Sequence, residues 1–148
     1  MAAIIEAHQN EIHPELLALT RELRWDGDSE KGVRVLRTVL HTLRDLLRLD
    51  DALALLMLLP HPMKGVFVEN WNTADLPSVP PEASDFLVLV RQKAGKLAFL
   101  DFADPVETEQ AVRYILDYIS EHVDTGRHNE LLCYLPPLVR PYWRAYAF

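Results

Sequence analysis

A stretch of 40 residues occurs twice in this chain, and it limits the possible folds more than any other feature of the sequence. Residues 28–67 align without a gap on residues 104–143, which lie 76 positions later. In both copies, apolar residues recur at the i, i+3, i+4, i+7 and i+11 spacing of one helical face. Each copy is therefore predicted to contain a core-facing amphipathic helix. The residues on these faces are Leu36, Val39, Leu40, Leu43 and Leu47 in the first copy, and Val112, Ile115, Leu116, Ile119 and Val123 in the second.

Matching start and stop signals surround the two predicted helices. Asp28 and Asp104 stand where an N-cap is expected, and Pro105 follows at the first helical position of the second copy. Each copy then continues into a short apolar helix that ends at Pro60 or Pro136, because proline lacks an N–H donor and disfavours a helical residue before it. A fourth segment closes each copy.

These signals predict an all-α fold of about eight helices, arranged as two similar four-segment repeats with a pseudo-two-fold relation. The first repeat covers about residues 14–71 and the second about residues 82–148, with a proline-rich linker at residues 72–81. Two units of this length are too long and too few for a solenoid, so one domain is expected over residues 1–148. Residues 95–102 are expected either to extend a helix or to form a short extended piece.

Composition allows a conventional hydrophobic core. Of the 148 residues, 49% are hydrophobic and 25% are charged, which is typical of a globular domain. The single cysteine, Cys133, falls in an apolar helix, where we expect it to be buried, and one cysteine excludes an intramolecular disulfide. The N-terminus lacks the pattern of a signal peptide, and the longest apolar run, residues 52–59, is too short for a membrane helix. We therefore expect a cytoplasmic protein without membrane contact.

Basic residues are concentrated on one side of the first amphipathic helix, although the net charge of −7 opposes general attraction to nucleic acid or anionic lipid. Five of them, called the basic stripe here, fall within about 80° of one another on a helical wheel. The second copy does not repeat the stripe. The stripe consists of Arg34, Arg37, His41, Arg44 and Arg48, and the equivalent residues of the second copy are Gln110, Arg113, Asp117, Ser120 and Asp124.

Three interpretations of the basic stripe are open. Acidic residues in turns or in the other half of the chain can neutralise it inside the fold, and this is the interpretation we favour. The stripe can instead bind an acidic protein surface, or an anion such as nucleic acid. Binding of an anion would be salt-sensitive and lost on charge reversal at Arg37 and Arg44. The acidic residues proposed for internal neutralisation are Asp26, Asp50, Asp51 and Asp75.

An aromatic segment closes the chain. We expect its side chains mainly to hold the repeats together, but any that are exposed would form an apolar surface suited to self-association. The residues of this candidate surface are Tyr142, Trp143, Tyr146 and Phe148.

The sequence contains no recognisable catalytic or metal-binding pattern. His8, Glu11 and His13 cluster near the N-terminus, but their spacing does not place all three on one helical face, as a metal site there would need. Nucleophile elbows, paired cysteines and phosphate-binding glycine loops do not occur in the sequence. We therefore predict no catalytic residues, no metal and no cofactor.

Several segments carry a resemblance to a known family. They are residues 39–47, 59–60, 65–71, 84–87 and 135–136, together with Trp143. In order and spacing they resemble the prokaryotic family called domain of unknown function 2267, and the resemblance covers nearly the whole chain. It implies a bacterial protein with a helical repeat fold, and it supplies no catalytic or binding residues.

These observations predict a non-catalytic interaction or regulatory module. The candidate partners are a second copy of the chain and an acidic protein, whereas neither nucleic acid nor a membrane is expected. Two alternatives remain open. One is a small-molecule or metal-dependent enzyme whose site assembles between the two repeats, and the other is binding of an anion or nucleic acid through the basic stripe.

Overall fold

The computed structural model describes residues 14–22, 29–74 and 85–143, and all regular structure in those ranges is helical. The prediction of an all-α fold is confirmed, and the number of helices is close to the eight expected. The first part of the chain forms α1 (Pro14–Glu22), α2 (Ser29–Asp45), α3 (Leu49–Leu58) and α4 (His61–Val68). The second part forms α5 (Phe86–Ala94), α6 (Ala98–Asp101), α7 (Pro105–His122) and α8 (His128–Tyr134), with 3-10 turns at Gly95–Leu97, Thr125–Arg127 and Arg140–Tyr142.

Aspartate side chains begin two helices of the second part. Asp104 Oδ1 accepts a hydrogen bond of 2.8 Å from the backbone N–H of Glu107, and Pro105 occupies the first turn of α7, as predicted. Asp85 Oδ1 accepts from the N–H of Leu87 at 3.0 Å and begins α5. Asp28, the predicted cap of the first copy, lies outside the described residues.

The predicted helix stops are also confirmed. Helix α3 ends at Leu58 and α8 at Tyr134, in each case two residues before the proline. Residues 95–101 form a 3-10 turn and the short helix α6, so the extended alternative for this stretch is wrong. Gly95 has a φ of 61° where α5 ends, a conformation that glycine adopts without steric cost.

Helix α2 is central to the packing. It contacts α1, α4, α5, α6 and α7, while α3 packs against α4 and α8. Every residue of the two predicted apolar faces is buried in one hydrophobic cluster, which joins residues from both copies of the repeated stretch. Burial of these faces supplies the main driving force for the fold. Within the described ranges, no helix combines the length and the apolar character needed to cross a membrane.

Cys133, which we expected to be buried, is exposed. Its neighbour Leu131 is the residue of α8 that enters the core. Two positions along a helix correspond to a rotation of about 200°, so Cys133 faces away from the side that Leu131 buries. The prediction that Cys133 is buried is therefore wrong.

Candidate functional site

Two residues of the basic stripe, His41 and Arg44, lie against the C-terminal end of α4. The last carbonyl groups of any helix lack partners within the helix and need donors from elsewhere. His41 Nε2 lies 2.7 Å from the carbonyl oxygen of Val66, and Arg44 Nη1 donates to the carbonyl oxygens of Phe67 at 2.9 Å and Glu69 at 2.7 Å. The two stripe residues therefore cap α4, and positive charge at this position also suits the helix dipole.

Arg44 is the most deeply enclosed of the stripe arginines, with a side chain only 4% exposed. Its Nε donates to Asp45 Oδ1 at 3.0 Å, and its guanidinium lies 5.8 Å from the centroid of the Trp71 ring. Asp45 is shared, since it also forms an ion pair with Lys93 of α5. Arg44 thus has a carboxylate, two carbonyls and an aromatic face as partners, which is the set that a buried guanidinium requires.

Burial lowers the pKa of His41 below its ordinary value. The hydrogen bond to the carbonyl of Val66 opposes this shift, and the nearby charge of Arg44 adds to it. A carbonyl oxygen only accepts hydrogen bonds, so Nε2 carries the proton and donates. His41 is therefore a neutral, buried cap and not an accessible cation.

Arg34 and Arg37 each form an ion pair with a carboxylate of another segment. Arg34 donates to both carboxylate oxygens of Asp101, at 3.0 and 2.9 Å, and Asp101 is only 3% exposed. Arg37 Nε donates to Glu69 Oε2 at 2.6 Å. The fork-to-fork geometry of the first pair is the stronger type of charge-assisted contact. It also connects α2 with α6, which belong to different predicted repeats.

Arg48 differs from the rest of the stripe because its side chain is 76% exposed and 3.8 Å from Asp50. Of the other acidic residues proposed to neutralise the stripe, Asp51 lies in the first turn of α3, while Asp26 and Asp75 lie outside the described residues. The carboxylates closest to the stripe are instead Asp45, Glu69 and Asp101. Whether the stripe also binds an anion stays a prediction.

In the described residues, the fourth segment of the second copy contains the 3-10 turn Arg140–Tyr142. Arg113 occupies the position of Arg37, pairs with Glu109 at 3.4 Å and lies 5.5 Å from the ring centroid of Tyr142.

A cleft of about 270 Å³ lies between α2, α6 and α7. Lys31 Nζ and Glu107 Oε1, which are 3.3 Å apart, form an ion pair in its wall. The lining carries both signs of charge, which suits a small polar molecule. The lining residues are Lys31, Val35, Asp101, Glu107, Gln110, Ala111 and Tyr114.

A family model described as "Uncharacterized conserved protein (DUF2267)" matches residues 14–142. The chain belongs to the DUF2267 family. The resemblance noted in the sequence is thereby confirmed over nearly its full extent. A comparison with curated proteins finds no match for the chain.

Two of the four closing aromatic residues of this DUF2267 protein, Tyr142 and Trp143, lie in the described ranges. Trp143 is buried in the core, and Tyr142 is half-buried with its hydroxyl donating to Asp85 Oδ1 at 2.6 Å. Burial and this hydrogen bond raise the pKa of Tyr142. These two side chains thus hold the C-terminal segment against α5 and α7 and do not offer an exposed apolar surface. Tyr146 and Phe148 lie outside the described residues.

Two exposed apolar surfaces of the DUF2267 protein were not singled out in the sequence. The first is the α3 stripe, formed by Leu49, Leu53 and Met57, whose exposed fractions are 42, 45 and 65%. Their i, i+4, i+8 spacing was visible, but the apolar run from 52 to 59 hid which face would be covered. The second surface follows α5 and includes Phe99 and Leu100, which are 71 and 53% exposed.

Two further histidines in the described ranges contact nearby backbone carbonyls. His122 Nδ1 lies 2.9 Å from the carbonyl of Tyr118, and His128 Nε2 lies 2.8 Å from the carbonyl of Ser120. Within those ranges no group of three His, Cys, Asp or Glu side chains is arranged to hold a metal ion. His8, Glu11 and His13 lie outside them.

Proposed function

We propose that this DUF2267 protein is a non-catalytic interaction module that self-associates through the α3 stripe. The observation that carries the proposal is that α3 is apolar on two opposite faces, only one of which is covered. The covered face packs into the core, and the other presents Leu49, Leu53 and Met57 to solvent. The residues of the covered face are Ala52, Leu55 and Leu58.

An uncovered apolar stripe favours a partner on physical grounds. A helix that is hydrophobic all round is typical of one buried on all sides. Removing apolar surface from water contributes about 25 cal/mol per Å², so covering three large side chains on each of two copies gives a substantial gain. Contiguous exposed apolar surface marks interaction sites for the same reason.

The charges near the stripe favour a second copy of the chain as the partner. Arg48 and Asp50 flank the stripe at one end, are equally exposed and carry opposite charges. Two identical surfaces of this kind meet without net repulsion, which a two-fold contact between identical patches requires. In an antiparallel pairing of two α3 helices, the central residue Leu53 lies nearest the two-fold axis.

The internal duplication provides a comparison within the same chain. We infer that the two repeats are related by a pseudo-two-fold axis, since α2 and α7 cover equivalent positions and contact each other, as do α3 and α8. The positions equivalent to Leu49, Leu53 and Met57 carry Thr125, Asn129 and Cys133. A large apolar stripe is therefore not needed to build this part of the repeat. Its presence on α3 alone favours a functional role.

Cysteine cross-linking tests the proposed contact. In a Cys133→Ser background, which removes the exposed native thiol, we compare Leu53→Cys with Leu100→Cys, since both leucines are about half-exposed. Mild oxidation is expected to convert the Leu53→Cys variant rapidly into a disulfide-linked dimer, because a two-fold axis brings the two thiols together. On a denaturing gel run without reductant, the Leu100→Cys variant should migrate as a single chain without a cross-link. Equal cross-linking of both variants, or none at Leu53→Cys, would contradict the proposal.

A second candidate function is the binding of a small polar molecule in the cleft between α2, α6 and α7. Its position between helices of both repeats and its charged lining favour this alternative. Such a ligand would be detected as additional non-protein mass on the native protein. Self-association through α3 requires no such mass, so one mass measurement separates the two candidates.

A further inference from the structure

We propose that a second surface, the basic apolar patch formed by Arg91, Lys96, Leu97, Phe99 and Leu100, binds an acidic segment of another protein that also carries bulky apolar side chains. This inference goes beyond self-association and uses a different part of the molecule. The patch spans the end of α5, the following 3-10 turn and the short helix α6. It does not include any residue of the basic stripe.

The three apolar side chains of the patch are all exposed to solvent. Phe99 is the most exposed large apolar side chain among the described residues, and Leu97 and Leu100 on either side of it are also exposed. Three adjacent large side chains in water form a surface that favours burial against a partner. Phenylalanine is well suited as the anchor, since a ring that enters a pocket contributes much of the binding energy.

The patch is contiguous because the chain turns sharply after α5. Gly95, with its φ of 61°, ends α5 and begins the 3-10 turn. Helix α5 contacts both this turn and α6, and the turn contacts α6. The end of α5, the turn and α6, which carry the cations and the apolar side chains of the patch, therefore belong to one region of the surface.

The charge of the patch is purely positive. No acidic residue occurs between Asp85 and Asp101, and both of these carboxylates are occupied within the fold. Asp85 caps α5 and accepts the hydroxyl of Tyr142, while Asp101 is buried against Arg34. The charge of this segment is therefore not neutralised by its own ends.

Arg91 and Lys96 are the cations that remain available. Both are exposed, and in the part of the chain that the structure describes neither has a carboxylate at ion-pair distance. Lys93, which lies between them in sequence, is already paired with Asp45. Two available cations beside three apolar side chains match a segment in which acidic and apolar residues alternate along one face.

The overall charge favours a protein segment over a membrane as the anionic partner. Charges in solution are screened beyond about 8 Å at physiological ionic strength. A short acidic segment that covers only the patch senses mainly Arg91 and Lys96. An anionic bilayer faces a much larger part of a molecule whose net charge is −7, so repulsion from the acidic remainder opposes its binding.

A designed peptide provides a direct test. The probe is a fluorescein-labelled helix of about 16 residues, with leucine, phenylalanine and glutamate interspersed on one face and uncharged polar residues on the other. A second peptide with lysine in place of every glutamate is the charge control. Fluorescence anisotropy is expected to show binding of the acidic peptide by the full-length protein, weaker binding at raised salt, and no binding of the lysine peptide.

Paired variants locate the binding surface. Phe99→Ala with Leu100→Ala, and separately Arg91→Glu with Lys96→Glu, are each expected to weaken binding of the acidic peptide at least about tenfold, which corresponds to about 1.4 kcal/mol. The matched controls, Leu53→Ala with Met57→Ala and separately Arg48→Glu, should leave the dissociation constant unchanged. All of the replaced side chains are exposed, so the variants are expected to fold, which circular dichroism checks.

Three outcomes would overturn the inference. One is the absence of binding to the acidic peptide, and another is equal weakening by the patch variants and their controls. The third is that the protein binds phosphatidylserine vesicles and not the peptide, and that the patch variants lose the vesicle binding. This result would assign the patch to a membrane. A loss of self-association in the Leu53 and Met57 variants with intact peptide binding would leave this inference standing, so the two proposals fail separately.

Discussion

Arg44 illustrates how a residue that looks like a binding residue in the sequence acts as a structural one. It lies on the flank of an amphipathic helix, where a helical wheel predicts a surface charge. In the structure it is buried, and its guanidinium donates to Asp45 and to the carbonyls of Phe67 and Glu69. These carbonyls belong to the backbone, and every residue has one. The residue types in the sequence therefore could not identify them as the partners of Arg44.

Replacing Arg44 tests this structural role. We expect Arg44→Met to lower the free energy of unfolding by about 3 kcal/mol, since it leaves the carbonyl groups at the end of α4 without donors. Urea denaturation measures the change. Arg48→Met is the control, because an ion pair between two exposed groups contributes less than about 0.5 kcal/mol. Similar losses in the two variants would contradict the assignment of Arg44 as the cap of α4.

His41 gives the fold a defined response to pH. Its pKa is lowered in the folded protein, whereas the unfolded chain takes up a proton on His41 as the pH falls through about 6.5. The unfolded state therefore binds more protons below that pH, and stability decreases as the pH falls further. Above it, both states are neutral at His41 and this residue contributes no pH dependence.

A comparison with His41→Gln isolates this effect. Glutamine keeps an N–H donor for the carbonyl of Val66 but does not titrate. The difference in unfolding free energy between wild type and variant should be constant above pH 7 and shift against the wild type at lower pH, by at most about 1.4 kcal/mol per pH unit. Urea denaturation from pH 5 to 8 measures it. A difference that is the same at every pH would show that His41 is not held neutral in the fold.

At the scale of elements, the sequence predicted where helices begin and end better than it predicted which of their faces are buried. Asp104 followed by Pro105 begins α7, and Pro60 and Pro136 follow the ends of α3 and α8. These boundaries depend on side chains acting on the neighbouring backbone, so a local pattern is sufficient to find them. Which face of a short apolar helix is covered depends on distant elements. For that reason the exposure of Cys133 and of the α3 stripe was not predicted.

The cap of α7 supplies a quantitative check at this scale. Asp104→Ala removes the acceptor for the N–H of Glu107, and we expect it to lower the unfolding free energy by about 1 kcal/mol. Thermal denaturation should show a melting temperature lower by about 2–4 °C. Asp124→Ala is the matched control, because Asp124 is an exposed acid just beyond the other end of α7. A negative charge there opposes the helix dipole, so its removal should be neutral or slightly stabilising.

At the scale of the whole molecule, ion pairs connect the two predicted repeats. They join α2 to α6, α2 to α7, and the end of α2 to α5, and the partners lie 48 to 76 residues apart in sequence. Acidic residues in the other half of the chain were expected to neutralise the basic stripe, but which ones could not be inferred from local patterns. The pairs are Arg34 with Asp101, Lys31 with Glu107, and Lys93 with Asp45.

The uncovered α3 stripe is a feature of the described residues that these internal contacts leave unexplained. Two side chains that the sequence offered as candidate surface residues, Arg44 and Trp143, are buried within the fold. The stripe has no such role, and the equivalent positions of the second repeat are occupied by smaller or polar residues. We propose that the stripe forms a contact with a second copy of the chain.

Native mass spectrometry, paired with the denatured mass of the same sample, tests this claim most directly. We expect wild-type protein at twice the mass of one chain, with no additional component, and Met57→Asp as a monomer because a buried unpaired carboxylate opposes the contact. Val106→Asp, at a residue as exposed as Met57, should remain a dimer. A monomeric wild type, or a Met57→Asp variant that still dimerises, would contradict the account, and retained non-protein mass on a monomer would direct attention to the cleft.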